Sequence, residues 1–344
     1  MVAEIGKNFI QTKKEQPTEE YLKKAKELVE EAKEAGADAV KFQTHFLEDE
    51  QLDLRVSSPH FKAGDRYNWV KRNTLATPLW FWQELQEFCR KMDILFFSTP
   101  MSRGAAQILE KINVPLWKVG SADILDFVML DFICQTRKPV IISTGMSSLK
   151  EIDQAVGFLK EREAPIVLMH CVSKYPCPKE ELSLGMMSFL QERYGLPVGF
   201  SDHSITVETA VAASQLGAWV IEKHFTSSRN LWGADHKSSL LPEEFKKMAE
   251  MIRGGERLPL KGYRKIAKQM VKGEEAFRPL FRKSLVAGRN LEAGVVLGPE
   301  MIYAMRPQGY AGGLPSERYQ EVLGKKLKKG LKKYQPISLD ILEI

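Results

Sequence analysis

The feature that most constrains this chain is an alternation. From residue 2 to about residue 250, short apolar runs are separated by longer amphipathic stretches, the pattern of repeated strand–helix units. The strand candidates are residues 2–5, 39–43, 94–98, 116–119, 140–143, 166–170, 198–201 and 219–224. Between them lie helical patterns such as 18–35, 78–92, 148–161 and 242–253, several opening on Ser, Thr or Pro as helix starts do. Eight strands, each followed by a helix, in about 250 residues predict an α/β chain folded as a (β/α)8 barrel. A doubly wound nucleotide-binding sheet would want a Gly-rich turn after its first strand, and Glu4-Ile5-Gly6-Lys7-Asn8 is not one.

The longest insertion, residues 47–77, follows the second strand on the face where barrel enzymes build their sites. Around 254–278 the periodicity fades into a polar, Lys-rich stretch that reads as a linker. Three short strand-like pieces follow at 284–287, 294–297 and 302–305, predicting a small, mostly β domain. A unit that small buries little of its own surface and has to lean on another. The expected organisation is a catalytic barrel over 1–255, a linker over 256–281 and a tail domain over 282–344.

With 344 residues, 44% hydrophobic and 27% charged, the chain has the balance of a soluble protein large enough for more than one core. No apolar run approaches the roughly 20 residues that span a bilayer, and the N-terminus lacks a signal-peptide pattern; a cytoplasmic protein without membrane contact is expected. Cys89, Cys134, Cys171 and Cys177 show no paired spacing, so buried free thiols are expected rather than a zinc cluster or disulfides. The net charge of +6 suits an anionic ligand, yet much of it lies in Lys325, Lys326, Lys328, Lys329, Lys332 and Lys333. Without a recognition motif that run reads as a solvated face, and no nucleic-acid partner is expected.

In a barrel the C-terminal ends of the strands face the site. Here they carry Glu4; Lys41 and Gln43; Ser98 and Thr99; Lys118 and Ser121; Ser143 and Thr144; His170 and Ser173; Ser201, Asp202 and His203; and Glu222, Lys223 and His224. Each alone could be a structural hydrogen-bonding residue; their convergence from eight ends is the stronger signal. Two lysines with several hydroxyls suit the phosphate and carboxylate of a small phosphorylated acid. His203 and His224 end adjacent strands and could share one divalent ion, although either alone could be structural or a proton carrier. Two histidines without a thiolate make an open site suited to manganese, iron or magnesium rather than structural zinc; Mn2+ is expected, with Mg2+ or Co2+ as alternatives.

At these residues the chain resembles the sialic acid synthase family, N-acetylneuraminate synthase and its legionaminate and pseudaminate relatives. The matching pieces include Ala3-Glu4-Ile5-Gly6-x-Asn8, 35–44 ending Lys41-Phe42-Gln43-Thr44, Phe97-Ser98-Thr99-Pro100, Lys118-Val119-Gly120-Ser121 and Ile142-Ser143-Thr144-Gly145-Met146. They continue through His170-Cys171-x-x-x-Tyr175-Pro176, Phe200-Ser201-Asp202-His203 and Glu222-Lys223-His224-Phe225-Thr226. The tail, with Arg306-Pro307, resembles the family's antifreeze-protein-like (SAF) domain.

The resemblance implies condensation of phosphoenolpyruvate with the open-chain aldehyde of an N-acetylated amino sugar. N-acetylmannosamine is the first expectation, its 6-phosphate or a 2,4-diacetamido-6-deoxy sugar the alternative. It implies phosphoenolpyruvate held by Lys41, Thr99, Lys118, Ser121, Ser143, Ser173 and Ser201, and sugar contacts from Glu4, Gln43, Tyr175 and Asp235. Arg306 would reach the N-acyl group across a domain-swapped homodimer. Asp123 is the first expectation for the carboxylate that handles the water proton, and Glu4 the second.

Some positions depart from the family pattern. Many members carry Glu at the position of Asp123 and some carry Asn at that of Ser173, Phe9 replaces a common His, and a leading hairpin usually precedes the first strand. Arg66, Lys71 and Arg72 in the long insertion could grip a 6-phosphate, although solvent-facing charge is the commoner reading. The rivals are a related condensation on pentose or tetrose phosphates, whose barrels generally lack the tail, and a non-catalytic sugar-binding protein.

Overall fold

The computed structural model describes residues 1–58, 61–268, 270 and 274–343. Eight parallel strands form the barrel: β1 (Val2–Gly6), β2 (Ala39–Thr44), β3 (Leu95–Pro100), β4 (Trp117–Val119), β5 (Val140–Ser143), β6 (Ile166–Cys171), β7 (Val198–Asp202) and β8 (Ile221–His224). Their order in the sheet is β3-β2-β1-β8-β7-β6-β5-β4, and β3 lies against β4 to bring the ring round. The strands read as near-continuous apolar runs because helices cover one face and the barrel interior the other. The eighth strand starts at Ile221, two residues later than expected, and leaves Trp219 exposed before it.

The outer helices begin where the sequence supplies donors and acceptors for their free ends. Ser148 and Glu151 form a reciprocal capping box on Leu149–Lys160, and Ser102 and Asp126 cap Arg103–Lys111 and Phe127–Gln135. Helix Thr18–Glu34 ends at Gly36, whose φ of +88° lets the chain turn back toward β2. Between helices and strands an aromatic cluster fills the wall. Phe9 packs on Phe81 at 5.4 Å, Phe81 on Trp82 at 5.0 Å and Phe42 on Phe96 at 5.8 Å. The N-terminal ends of the strands are filled from inside by Val2, Ala39 and Phe97, with Leu116 and Val220 against them.

The insertion after β2 is ordered where described: a turn of helix at Leu47–Glu50, a short hairpin of Ser57–Ser58 with Phe61–Asp65, and helix Arg66–Ala76 capped by Asp65. The stretch expected as linker ends in a helix, Glu274–Phe281. The tail that follows contains β9 (Ser284–Ala287) paired antiparallel with β10 (Ile302–Met305). The second expected piece, 294–297, forms only an isolated bridge, Val296 with Lys326, and is tied to the chain by bonds such as Gly294 N–H to Leu327 O. Apolar residues of the tail, among them Leu285, Ile302 and Leu327, belong to the same continuous core as the barrel. The leaning surface expected for so small a domain is therefore its own barrel.

Candidate active site

All fifteen residues expected at the site line one cavity of about 340 Å³ at the C-terminal end of the barrel. The register explains the convergence. Glu4 lies level with Lys41 on one side and His224 on the other, Gln43 with Thr99, and Ser201 with Glu222, so alternate side chains project inward in layers.

Lys41 Nζ is 2.6 Å from Glu4 Oε2, 3.1 Å from Thr99 Oγ1 and 3.6 Å from Glu222 Oε1. Burial works against its charge, but Glu222 and Glu4 outweigh it and hold the ammonium charged. Lys118 Nζ donates to Ser143 Oγ at 2.7 Å, and Ser201 Oγ donates to Glu222 Oε1 at 3.1 Å. Ser121 Oγ accepts from Gly145 N–H at 3.1 Å. Gly145 is required by close approach: a Cβ there would collide with Ser173 Oγ and Ser121 Oγ. Two ammonium groups and five hydroxyls thus ring one end of the cavity, a set of donors matched to a small polyanion.

The two carboxylates beside Lys41 differ. Burial opposes ionisation of Glu222, but Lys118 and Lys41 pull its carboxyl below the usual range. Burial pushes Glu4 up, to about 7, and the Glu222 charge adds to it while Lys41 opposes. A pair of neighbouring acids driven apart in this way is how proton-transfer roles become assigned. Gln43 Nε2 donates to Glu4 Oε1 at 2.8 Å and fixes its plane.

Asp123, the first expectation for that role, is placed differently. Its Oδ1 is bound by Arg306 Nη2 and lies 3.0 Å from Lys283 Nζ. Both cations come from the tail, so this carboxylate joins the tail to the barrel mouth. Arg306 was expected to serve a partner's pocket; here it lines the cavity of its own chain, with its backbone N–H bonded to Glu50 O at 2.9 Å.

Among the described residues no group of three or more His, Cys, Asp or Glu could hold a metal, and the ligands expected here are the pair His203 and His224. That pair fits a divalent ion. The rings of His203 and His224 are 5.5 Å apart, and Tyr175 packs 4.0 Å from His203. His203 Nδ1–H donates to Val172 O at 2.7 Å, which fixes the tautomer and leaves Nε2 as a ligand. His224 Nδ1 is buried without a hydrogen-bond partner, and burial, then His203, keeps its imidazole neutral.

His170 turns away, its Nε2 2.6 Å from Leu182 O. Of the three insertion cations, two are not solvent-facing. Arg66 lines the cavity, its guanidinium 4.7 Å from the Phe281 ring centre, and Arg72 donates to Thr12 O, Lys13 O and Lys14 O while lying over Trp232; Lys71 is exposed. The cause is that helix Arg66–Ala76 lies along the rim, which turns one of its faces inward. Sequence reasoning did not select Lys7, Trp69, Phe277 or Phe281, which also line the cavity. The i, i+4 spacing of Phe277 and Phe281 was a helix signal inside the presumed linker.

Comparison with known proteins bears on this arrangement. Residues 28–261 match the NeuB family and residues 282–343 the SAF domain. The chain is 34% identical to an N,N'-diacetyllegionaminic acid synthase of Campylobacter jejuni, over 90% of this chain and 93% of that protein. It is 32% identical to human N-acetylneuraminate-9-phosphate synthase, over 95% of this chain and 88% of that one. The spore coat polysaccharide biosynthesis protein spsE of Bacillus subtilis superposes with a TM-score of 0.78 at 27% identity, covering 100% of this chain and 94% of that one. The chain belongs to the NeuB family of sialic acid synthases, with an SAF domain after its barrel.

Proposed function

We propose that this enzyme condenses phosphoenolpyruvate with the open-chain aldehyde of an N-acetylated amino sugar, N-acetylmannosamine first, to give N-acetylneuraminate and phosphate. The observation that carries this reading is the ring formed by Lys41, Lys118, Thr99, Ser121, Ser143, Ser173 and Ser201 beside the His203–His224 pair in one cavity. The lysines neutralise phosphate and carboxylate, and the hydroxyls orient them, so that the enol carbon faces the acceptor. A divalent ion, manganese first, would be held by His203 and His224 and would supply Lewis acidity toward the aldehyde oxygen.

Attack by the enol carbon on the aldehyde forms the new C–C bond. Water then adds at the former enol C2, and phosphate departs from that carbon. Glu4, with its raised carboxyl beside Lys41, is the group that takes the proton from that water. Gln43, Tyr175 and Asp235 line the side left for the sugar, and Arg306, held by Asp123, presents its guanidinium toward the N-acyl group. The partner arrangement expected from the resemblance, a domain-swapped dimer, would place the same arginine in the same cavity.

A second acceptor, the 6-phosphate, is favoured by one observation: Arg66 and Lys237 both line the cavity. Phosphate release from phosphoenolpyruvate decides the matter, measured with Mn2+ or chelator across N-acetylmannosamine, its 6-phosphate and a diacetamido sugar, with product masses. Release that needs both metal and one acceptor supports the proposal and names the acceptor. No release with any of the three from folded, Mn2+-loaded protein refutes it.

A further inference from the structure

The stretch before the tail is polar in sequence, yet Glu274, the first residue of helix Glu274–Phe281, is only 3% exposed. One of its oxygens, Oε1, accepts from two backbone N–H groups, Met146 at 2.9 Å and Ser173 at 2.7 Å. Those residues belong to the loops after β5 and β6, the first of which follows directly on Ser143 while the second carries Ser173. A single carboxylate oxygen therefore spans the two loops that bring hydroxyls to the anion end of the cavity.

The helix and the residues flanking it grip the first loop elsewhere. Arg278 Nη1 donates to Met146 O at 2.5 Å, Arg282 Nη2 donates to Met146 O and Ser147 Oγ, each at 2.9 Å, and Lys268 Nζ donates to Thr144 O at 2.6 Å. Arg278 is anchored in turn by Glu151, which caps the following barrel helix. Both polar groups of the Met146 peptide backbone are thus held by this helix, at a residue with a φ of +50°, a conformation that a non-glycine residue keeps only when its surroundings impose it.

We infer that Glu274 is a positioning residue for phosphoenolpyruvate: by tying Met146 N–H to Ser173 N–H it sets the spacing of the anion-binding loops and couples anion binding to docking of the segment that leads into the tail. This rests on the reading that the ring of lysines and hydroxyls receives phosphoenolpyruvate. Coupling of this kind is reciprocal, so the bound anion must also stabilise the docked helix.

The test uses the full-length protein and phosphoenolpyruvate alone, titrated calorimetrically, followed by steady-state kinetics. Hydrogen bonds to a charged group are strong enough that Glu274→Ala should weaken phosphoenolpyruvate binding by about 10- to 100-fold. Glu274→Gln keeps an acceptor oxygen without the charge and should lose less than about tenfold, while Glu275→Ala, at an exposed neighbour, should bind as the parent does. KM for phosphoenolpyruvate should rise while KM for the acceptor stays, and saturating phosphoenolpyruvate should slow proteolysis within the segment before the tail. Binding by Glu274→Ala within twofold of the parent overturns the inference, as does a lowered melting temperature and kcat with both KM values unchanged. If the parent protein itself fails to bind phosphoenolpyruvate, the reading of the cavity falls first and the inference with it.

Discussion

Replacing Glu4 by Gln tests the proton-transfer assignment most directly. Glutamine keeps the volume and an oxygen for the Gln43 amide, which now lies 2.8 Å from Glu4 Oε1, and removes only the ionisable oxygen beside Lys41. Lys41 retains Glu222 at 3.6 Å, so the ammonium stays charged and the fold is spared an unpaired buried cation. A positioned general base contributes about 10²–10⁴ in rate, so kcat should fall by that factor, with phosphoenolpyruvate affinity changed little. The parent enzyme should lose activity as pH falls below about 7, because the Glu4 carboxyl, raised by burial, then holds the proton it must be free to accept. That limb should vanish in Glu4→Gln. The assay is kcat and kcat/KM from phosphate release across pH 5.5–9, a range set at about 1.5–2 units either side of the Glu4 value. Retention of more than about a tenth of the parent kcat, or an unchanged acid limb, refutes the assignment. Asp123→Asn supplies the contrast. It removes the charge under Arg306 and should act on acceptor KM, and a loss of kcat equal to that of Glu4→Gln would return the base role to Asp123.

Three further outcomes are expected. His224→Ala and His203→Ala should each abolish Mn2+ binding, read by metal analysis after dialysis, together with condensation; full activity in either would remove that residue from the metal site. Arg306→Ala should raise acceptor KM and leave oligomeric state by light scattering unchanged, because its guanidinium faces the cavity rather than the tail's own core. Stability should fall as pH drops from about 6.5 to 4, followed by urea unfolding. His45, His170 and His236 are held near 4 mainly by burial, so the unfolded chain takes up protons in that window before the folded one does. The loss has an upper bound of about 3 kcal/mol per histidine, and a flat pH profile over that range would contradict their burial in the neutral form.

Much of the barrel was legible because its physics is local. Each strand is a short, largely buried apolar run, and several helices carry their own start signal, as at Ser148 and Pro242. The strand ends Lys41, Lys118, Ser143, Ser201, His203 and His224 could be named in advance, since a parallel barrel sends its C-terminal ends to one place. Where the reading slipped, the deciding contact lay far away in the chain. Arg66 and Arg72 look like solvated charge in a loop, but the rim packs one against Phe281 and the other against Trp232. Residues 256–281 look like a linker because charges interrupt their apolar periodicity, and two of those charges, Glu274 and Arg278, turn out to grip the backbone of Met146.

The sequence by itself therefore determined the class of fold, the set of groups at the barrel mouth and the small polyanion they suit, because side-chain type and strand-end position are local properties. Only the tertiary structure decided what surrounds each of those groups. Asp123 and Glu4 are equivalent acids in the sequence. One is fastened between Arg306 and Lys283, 183 and 160 residues away by their numbering, and the other is buried against Lys41 and Glu222, where desolvation raises its proton affinity. Proton affinity follows from burial and neighbouring charge, and both are set by parts of the chain that meet only when it has folded.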